Sequence, residues 1–379
     1  MMTELWDEIW WKQITGAQLI VSQVTDALLE HKTPMLQVPS DLPWRSAMRN
    51  EVASTFRMKN VFQDVMFEQI DVNDQCGGMT KPAEIADFLL RNFGTPEVQK
   101  NYRGGAVTRY LTEQNVLANR IIWIKGMNDS SVEQWVNFCK DYKPGSPDVG
   151  MFVLEYHDND VRHPGNGFRE IRFSSLVSSY DLQLFNYRIM ERNEDCQGIW
   201  KNYISTVAAE LCEYDAEISE HMITEYDLRK QEPLQILKEI AEDGFFSRRG
   251  AEPDSEHILS LVRHNEMKKI QKRLWKAQLQ VLFPLIEMER VALVERYEEE
   301  IREILSKNCI EQYRKRISQP MDVELGLLVS MIDGLQNGVF LYIPNKSDTI
   351  RIRHLHSCRN KLAHAKCCSI EDVQTLFDV

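Results

Sequence analysis

Five short apolar runs alternate with amphipathic stretches over residues 1–174, and this alternation limits the fold more than any other feature of the chain. The runs lie at residues 35–38, 65–70, 120–124, 150–156 and 168–173, and their branched and aromatic side chains suit a pleated, half-buried surface. Helical patterns occupy residues 44–56, 82–93 and 131–142 between them. Strands separated by helices run parallel, because each helix carries the chain back across the sheet. A mostly parallel α/β domain is expected, with residues 168–173 as an edge strand. Ahead of it, Trp6, Trp10, Ile14, Ala17, Leu19, Ile20, Val24 and Leu28 recur near three- and four-residue spacing and predict one amphipathic helix ending before Thr33-Pro34. Trp6, Trp10, Trp11 and Trp44 suit either a core or a partner surface, with the core favoured.

From residue 175 the pattern is almost wholly helical, at 181–192, 200–226, 233–243, 256–282 and 284–307, with shorter helices beyond. Residues 244–254, with Arg248-Arg249-Gly250 and Pro253, read as a linker. Three regions follow: an α/β domain at 1–174, a helical middle at 175–265 and a helical domain at 266–379. A length of 379 residues agrees with two or three domains, and 43% hydrophobic residues suffice for packed cores.

The formal net charge of -12 argues against a surface that coats nucleic acid indiscriminately, while leaving room for a local basic site. No positively charged leader with an apolar core is visible, and no run approaches the roughly 18 apolar residues that span a bilayer. Eight cysteines, Cys76, Cys139, Cys196, Cys212, Cys309, Cys358, Cys367 and Cys368, include no Cys-x-x-Cys pair and read as reduced thiols. A cytoplasmic protein with no membrane partner is expected.

The strand, loop and helix at residues 36–56 stand where a phosphate-binding loop would sit. Such a loop needs small residues whose N–H groups approach phosphate, a Lys for the β/γ oxygens and a Ser or Thr for Mg²⁺. Here it reads Pro39-Ser40-Asp41-Leu42-Pro43-Trp44-Arg45-Ser46: no glycine, no lysine, two prolines without N–H donors, and an acid that repels phosphate. Ile121-Ile122-Trp123-Ile124 is similar to the strand before a Walker B acid, but Lys125-Gly126 follow it. In its order of elements this half resembles an AAA-type or related P-loop NTPase domain without intact Walker motifs. An unrelated α/β domain is the alternative. ATPase activity and a cofactor are not expected, and the glycine pairs Gly77-Gly78 and Gly104-Gly105 read as turns.

The other informative stretch, residues 346–366, concentrates Lys346, Arg351, Arg353, His354, His356, Arg359, Lys361, His364 and Lys366 with Asp348 as its one acid. Such a reversal in an acidic chain fits either a solvated face near acids from elsewhere or a nucleic-acid site. Arg359-Asn360-Lys361-Leu362-Ala363-His364 is an Arg-x4-His motif, followed by what reads as a capped final helix from Ser369. Residues 266–379 thereby resemble the HEPN (higher eukaryotes and prokaryotes nucleotide-binding) superfamily, an all-α bundle.

The resemblance implies a metal-independent endoribonuclease formed across a homodimer, of a kind frequent in prokaryotic antiviral defence and toxin–antitoxin systems. It assigns His364 as acid or base, Arg359 as the scissile-phosphate ligand and Asn360 as the orienting group, with 2′,3′-cyclic phosphate and 5′-OH products. Imidazole titrates near neutrality and guanidinium forks fit phosphate, so these roles suit the residues. Arg351, Arg353, His354, His356, Lys361 and Lys366 are the RNA-binding candidates, and Glu324 is the nearest candidate for an assisting acid. On an ideal helix Asn360 and His364 share a face, while Arg359 lies about 140° from His364. The competing expectation is a noncatalytic scaffold or regulatory protein, with a pseudo-NTPase domain for a protein partner and a HEPN-like dimerisation module. The spacing His-x-His-x-Cys-x5-His-x2-Cys-Cys from His354 to Cys368 matches no zinc motif, and no metal is expected.

Overall fold

All five apolar runs form strands of one parallel sheet. They are β1 (Thr33–Gln37), β2 (Met66–Asp71), β3 (Arg120–Met127), β4 (Met151–Tyr156) and β5 (Phe168–Arg172), in the order β2-β3-β4-β1-β5. Every neighbouring pair is parallel, with Met35 opposite both Leu154 and Glu170. The computed structural model describes residues 6–59, 64–75, 79, 81–144, 148–157, 165–191, 198–244, 255–308, 310–312, 315–334 and 340–378. The chain divides into two units, one built on Met1–Phe185 with Tyr214–Glu217, the other on Asn186–Glu213, Ile218–Arg248 and Ser255–Val379.

The first unit uses α1 (Trp6–Gln13), α2 (Thr15–Leu29), α3 (Arg45–Lys59), α4 (Pro82–Phe93), α5 (Val107–Glu113) and α6 (Asp129–Tyr142), among other helices. All six residues of β4 are buried, as a parallel sheet covered on both faces requires. Ile122, Ile124, Phe152 and Leu154 pack with Ile85 and Leu89 of α4, Leu111 of α5 and Trp135 and Phe138 of α6. Trp123 and Glu155, one residue out of phase, turn to the opposite face, where Arg49 of α3 meets Glu155. Trp10 and Trp11 are buried, and Trp6, Trp10 and Trp44 each pack edge-on against Phe185, so the core reading holds for this aromatic group.

The helix expected over residues 6–28 is instead two. Ile14 is extended, and the Asp181 carboxylate accepts from Gly16 N–H at 2.8 Å to start α2 afresh. That partner lies 165 residues away, beyond the reach of local periodicity. A Cβ at Gly16 would stand 2.6 Å from Leu176 O, so the close approach needs glycine there.

The second unit uses α7 (Ile199–Cys212), α8 (Met267–Arg296), α9 (Leu325–Ile332), α10 (Lys346–Ala363) and α11 (Ile370–Phe377), among other helices. The single helix expected over 200–226 breaks after Cys212, where Glu213 adopts a positive φ of 56°. The stop expected at Pro284 does not occur: α8 runs through it for 30 residues. Proline removes one N–H bond there, but Leu274, Ala277, Val281, Leu282, Ile286 and Leu293 are buried along the helix on both sides of it, and packing outweighs the local loss. The expectation of pure helix is also corrected by a short antiparallel pair, Glu311–Gln312 with Lys315–Arg316. The final helix carries its predicted cap, with Ser369 and Asp372 bonding reciprocally.

The glycine pair Gly77-Gly78, the turn residues at 158–164 and the linker beyond Gly244 lie outside the described residues. Among the described residues no helix is long and apolar enough to cross a membrane.

Candidate functional site

In the first unit the loop after β1 sits at the carboxyl end of a strand flanked by β4 and β5, where the chain turns from one side of the sheet to the other. Open parallel sheets bind ligands at this place. Here the loop is spent on itself. Val38 N–H bonds Tyr156 O at 3.0 Å, and Leu42 N–H bonds Pro39 O at 3.2 Å. Arg45, at the start of α3, folds back and donates to Pro39 O at 2.6 Å and to Ser40 O. Its other terminal nitrogen lies 3.7 Å from Glu155 Oε1. The cradle therefore aims carbonyl oxygens at a guanidinium already in place, the reverse of the N–H array that a phosphate needs.

Below the loop, Glu155 accepts from Arg49 through both carboxylate oxygens and from Trp123 Nε1 at 2.7 Å. Burial alone would raise this carboxyl, but the Arg49 charge and hydrogen bonds, with Arg45 and Trp123, outweigh it and hold it below the ordinary carboxylate range. Asp41 is buried and accepts from Tyr214 Oη at 2.8 Å. At the Walker B position Lys125 pairs with Asp71 at 3.2 Å, and Gly126 has φ +70°.

In the second unit the buried positions Ile352, Leu355, Cys358 and Leu362 fix how α10 is rotated against its neighbours. Trp275 of α8 ties down its end by donating Nε1 to Leu362 O at 2.7 Å. Arg351 is consumed by a two-pronged pair with Glu289 and by the carbonyls of Thr375 and Leu376. Arg353 pairs with Asp333, Lys361 with Asp372, and His354 Nε2 lies 3.0 Å from Asp372 O. With His356, which meets Asn360, five of the six RNA-binding candidates have partners inside this unit, and Lys366 is exposed.

The arrangement gathers His356, Arg359 and Asn360 but not His364. Asn360 Nδ2 is 2.9 Å from His356 Nε2, so the amide donates to an unprotonated ring nitrogen. Burial first, and then the Arg359 charge, lower the His356 pKa below its usual value, consistent with that acceptor role. α9 backs the ring closely: a Cβ on Gly326 would stand 3.3 Å from His356 Nε2. Glu324, the one acid singled out from sequence, reaches Arg359 with an Oε2–Nη2 separation of 3.5 Å. His364 is exposed at the C-cap, beyond the last helical residue, and Ala365 follows with φ 54°.

His356 is the residue whose role the sequence reading missed. Both His356 and His364 stand four residues from Asn360, and only the place where the helix stops separates them. Chemically the group offers a neutral imidazole, an amide and a half-exposed guanidinium held loosely by a carboxylate.

No protein-family model matches the chain, and no curated protein matches its sequence. Among solved structures it is similar to CDC6P from Pyrobaculum aerophilum, with 11% identity and a TM-score of 0.34, covering 96% of this chain and 93% of that one. It is also similar to the Aeropyrum pernix ORC2 protein in ADPNP–ADP complexes, with 10% identity and a TM-score of 0.30, covering 95% and 93%. Likeness this distant assigns neither a ligand nor an activity to the chain.

Proposed function

We propose that this protein is a noncatalytic scaffold or regulatory interaction protein, in which an NTPase-like α/β frame is kept and its nucleotide chemistry is closed off. The observation that carries the reading is Arg45, whose guanidinium is bonded to the carbonyls of Pro39 and Ser40 where phosphate would have to lie. A cation there would attract phosphate if its donors were unspent, but they are turned onto the loop's own backbone and toward Glu155. The neutralised Arg351, Arg353 and Lys361 favour the same reading for the helical unit, since they tie helices together.

A second reading, the metal-independent HEPN-type endoribonuclease acting as a dimer, is favoured by the grouping of Arg359, Asn360 and His356. In it a histidine takes the ribose 2′-OH proton, the 2′ oxygen attacks phosphorus, and the 5′ oxygen leaves with a proton. Arg359 steadies the phosphate.

Incubation with mixed cellular RNA in EDTA, followed by end-group analysis, separates the two. The scaffold reading expects intact RNA. Fragments with 2′,3′-cyclic phosphate ends, formed by wild type and lost in Arg359→Ala, would replace it with the ribonuclease.

A further inference from the structure

We propose that His354, Cys358, Cys368 and Asp372 form a structural zinc site that clamps α10 to the start of α11. The helix sorts the scattered His and Cys residues that looked patternless in sequence. His354 and Cys358, four apart, share one face of α10, whereas His356 turns to Asn360 and His364 leaves the helix. Cys368 and Asp372, also four apart, flank the start of α11.

Ligand atoms of His354, Cys358 and Asp372 lie within 4.8 Å of one another. The His354 Nε2 to Cys358 Sγ separation is 3.5 Å. A tetrahedral zinc with ordinary Zn–S and Zn–N bonds places such a pair about 3.5 Å apart, so this edge of the tetrahedron is already at its final length. Cys368, whose Sγ is 4.0 Å from Cys358 O, stands beside these three and reaches the fourth corner by a turn of its side chain.

The charges also balance. Two thiolates and one carboxylate around Zn²⁺ leave one negative charge, and Lys361, paired with Asp372 Oδ2, cancels it. Among the described residues the bonds to Asp372 side-chain oxygens fall on Oδ2, from Lys361 and from Ser369 N and Oγ, which leaves Oδ1 for the ion. His354 Nε2, now against Asp372 O, would turn its lone pair to the metal, and the protons of both thiols would be released to solvent on binding. Four protein ligands leave no open position, which makes the site a staple and not a catalytic centre.

The test loads the full chain with zinc, removes excess by gel filtration and measures bound metal. Wild type and Cys367→Ser, a neighbouring thiol turned to Gln271 O, are expected to retain one zinc per chain, and Cys358→Ser and His354→Ala to lose it. Because those variants can fail to fold, wild type is also loaded with Co²⁺, where intense tetrahedral d–d bands and a thiolate charge-transfer band are expected. Wild type that retains no zinc, cobalt bound without thiolate charge transfer, or a Cys358–Cys368 disulfide in protein purified without oxidant would each overturn the proposal.

Discussion

Arg49 and Glu155, 106 residues apart in sequence, form a two-pronged ion pair in the first unit, with Nε–Oε2 at 3.0 Å and Nη2–Oε1 at 2.9 Å. Neither side chain is more than 7% exposed. The pair links α3 to the carboxyl end of β4, and with Arg45 it fixes the loop after β1.

Arg49→Met would leave Glu155 buried without its main partner and is expected to destabilise the first unit by about 3–5 kcal/mol. Urea unfolding measures this. A cost below about 1 kcal/mol would mean that water or another cation compensates the carboxylate.

The same pair sets an acid limit. Glu155 has a folded pKa below its unfolded value, so its stabilisation is fully present above the unfolded value of about 4.3. It is lost as pH falls through the folded value. Unfolding free energy measured down this range is expected to drop more steeply in wild type than in Arg49→Met.

Gln278 bridges three buried groups, donating to Tyr203 Oη at 3.1 Å and Cys368 O at 2.9 Å and accepting from Cys368 N–H at 2.7 Å. Gln278→Leu would orphan them at about 1–3 kcal/mol for each buried polar group. The thermal midpoint is expected to fall, and fast amide exchange at Cys368 would locate the loss.

Titration of His356 by NMR is expected to give a value below the ordinary 6.5 or so of histidine, since burial and then Arg359 lower it. Arg359→Ala is expected to move it upward. An unchanged value would place Arg359 away from the ring.

Gly126 holds φ +70° and faces Asp71 Oδ1 so closely that a Cβ would collide with it. Gly126→Ala is expected to cost about 1–2 kcal/mol from the left-handed backbone alone, plus displacement of the Asp71–Lys125 pair, read out by urea unfolding.

The five strands were legible because branched and aromatic runs bounded by turns have few other uses, and their parallel direction followed from the helices between them. Their order was not, since pairing of β1 with both β4 and β5 depends on contacts more than a hundred residues apart. That the loop after β1 lacks the residue types of a phosphate cradle could be read from Pro39 and Pro43, but the fold-back of Arg45 could not, because it depends on where two carbonyls point. In the helical unit the titratable cluster was visible. Its division into a His356–Asn360 group and a His354–Cys358 group required knowing that α10 ends at Ala363, which no residue type near it announces.

The most direct test of the account is calorimetric titration of wild type and Arg45→Ala with ATP and ADP in the presence of Mg²⁺. The closed loop predicts no binding to wild type, while the variant shows whether removing the guanidinium alone reopens the site. Saturable, Mg²⁺-dependent nucleotide binding by wild type would contradict the central claim.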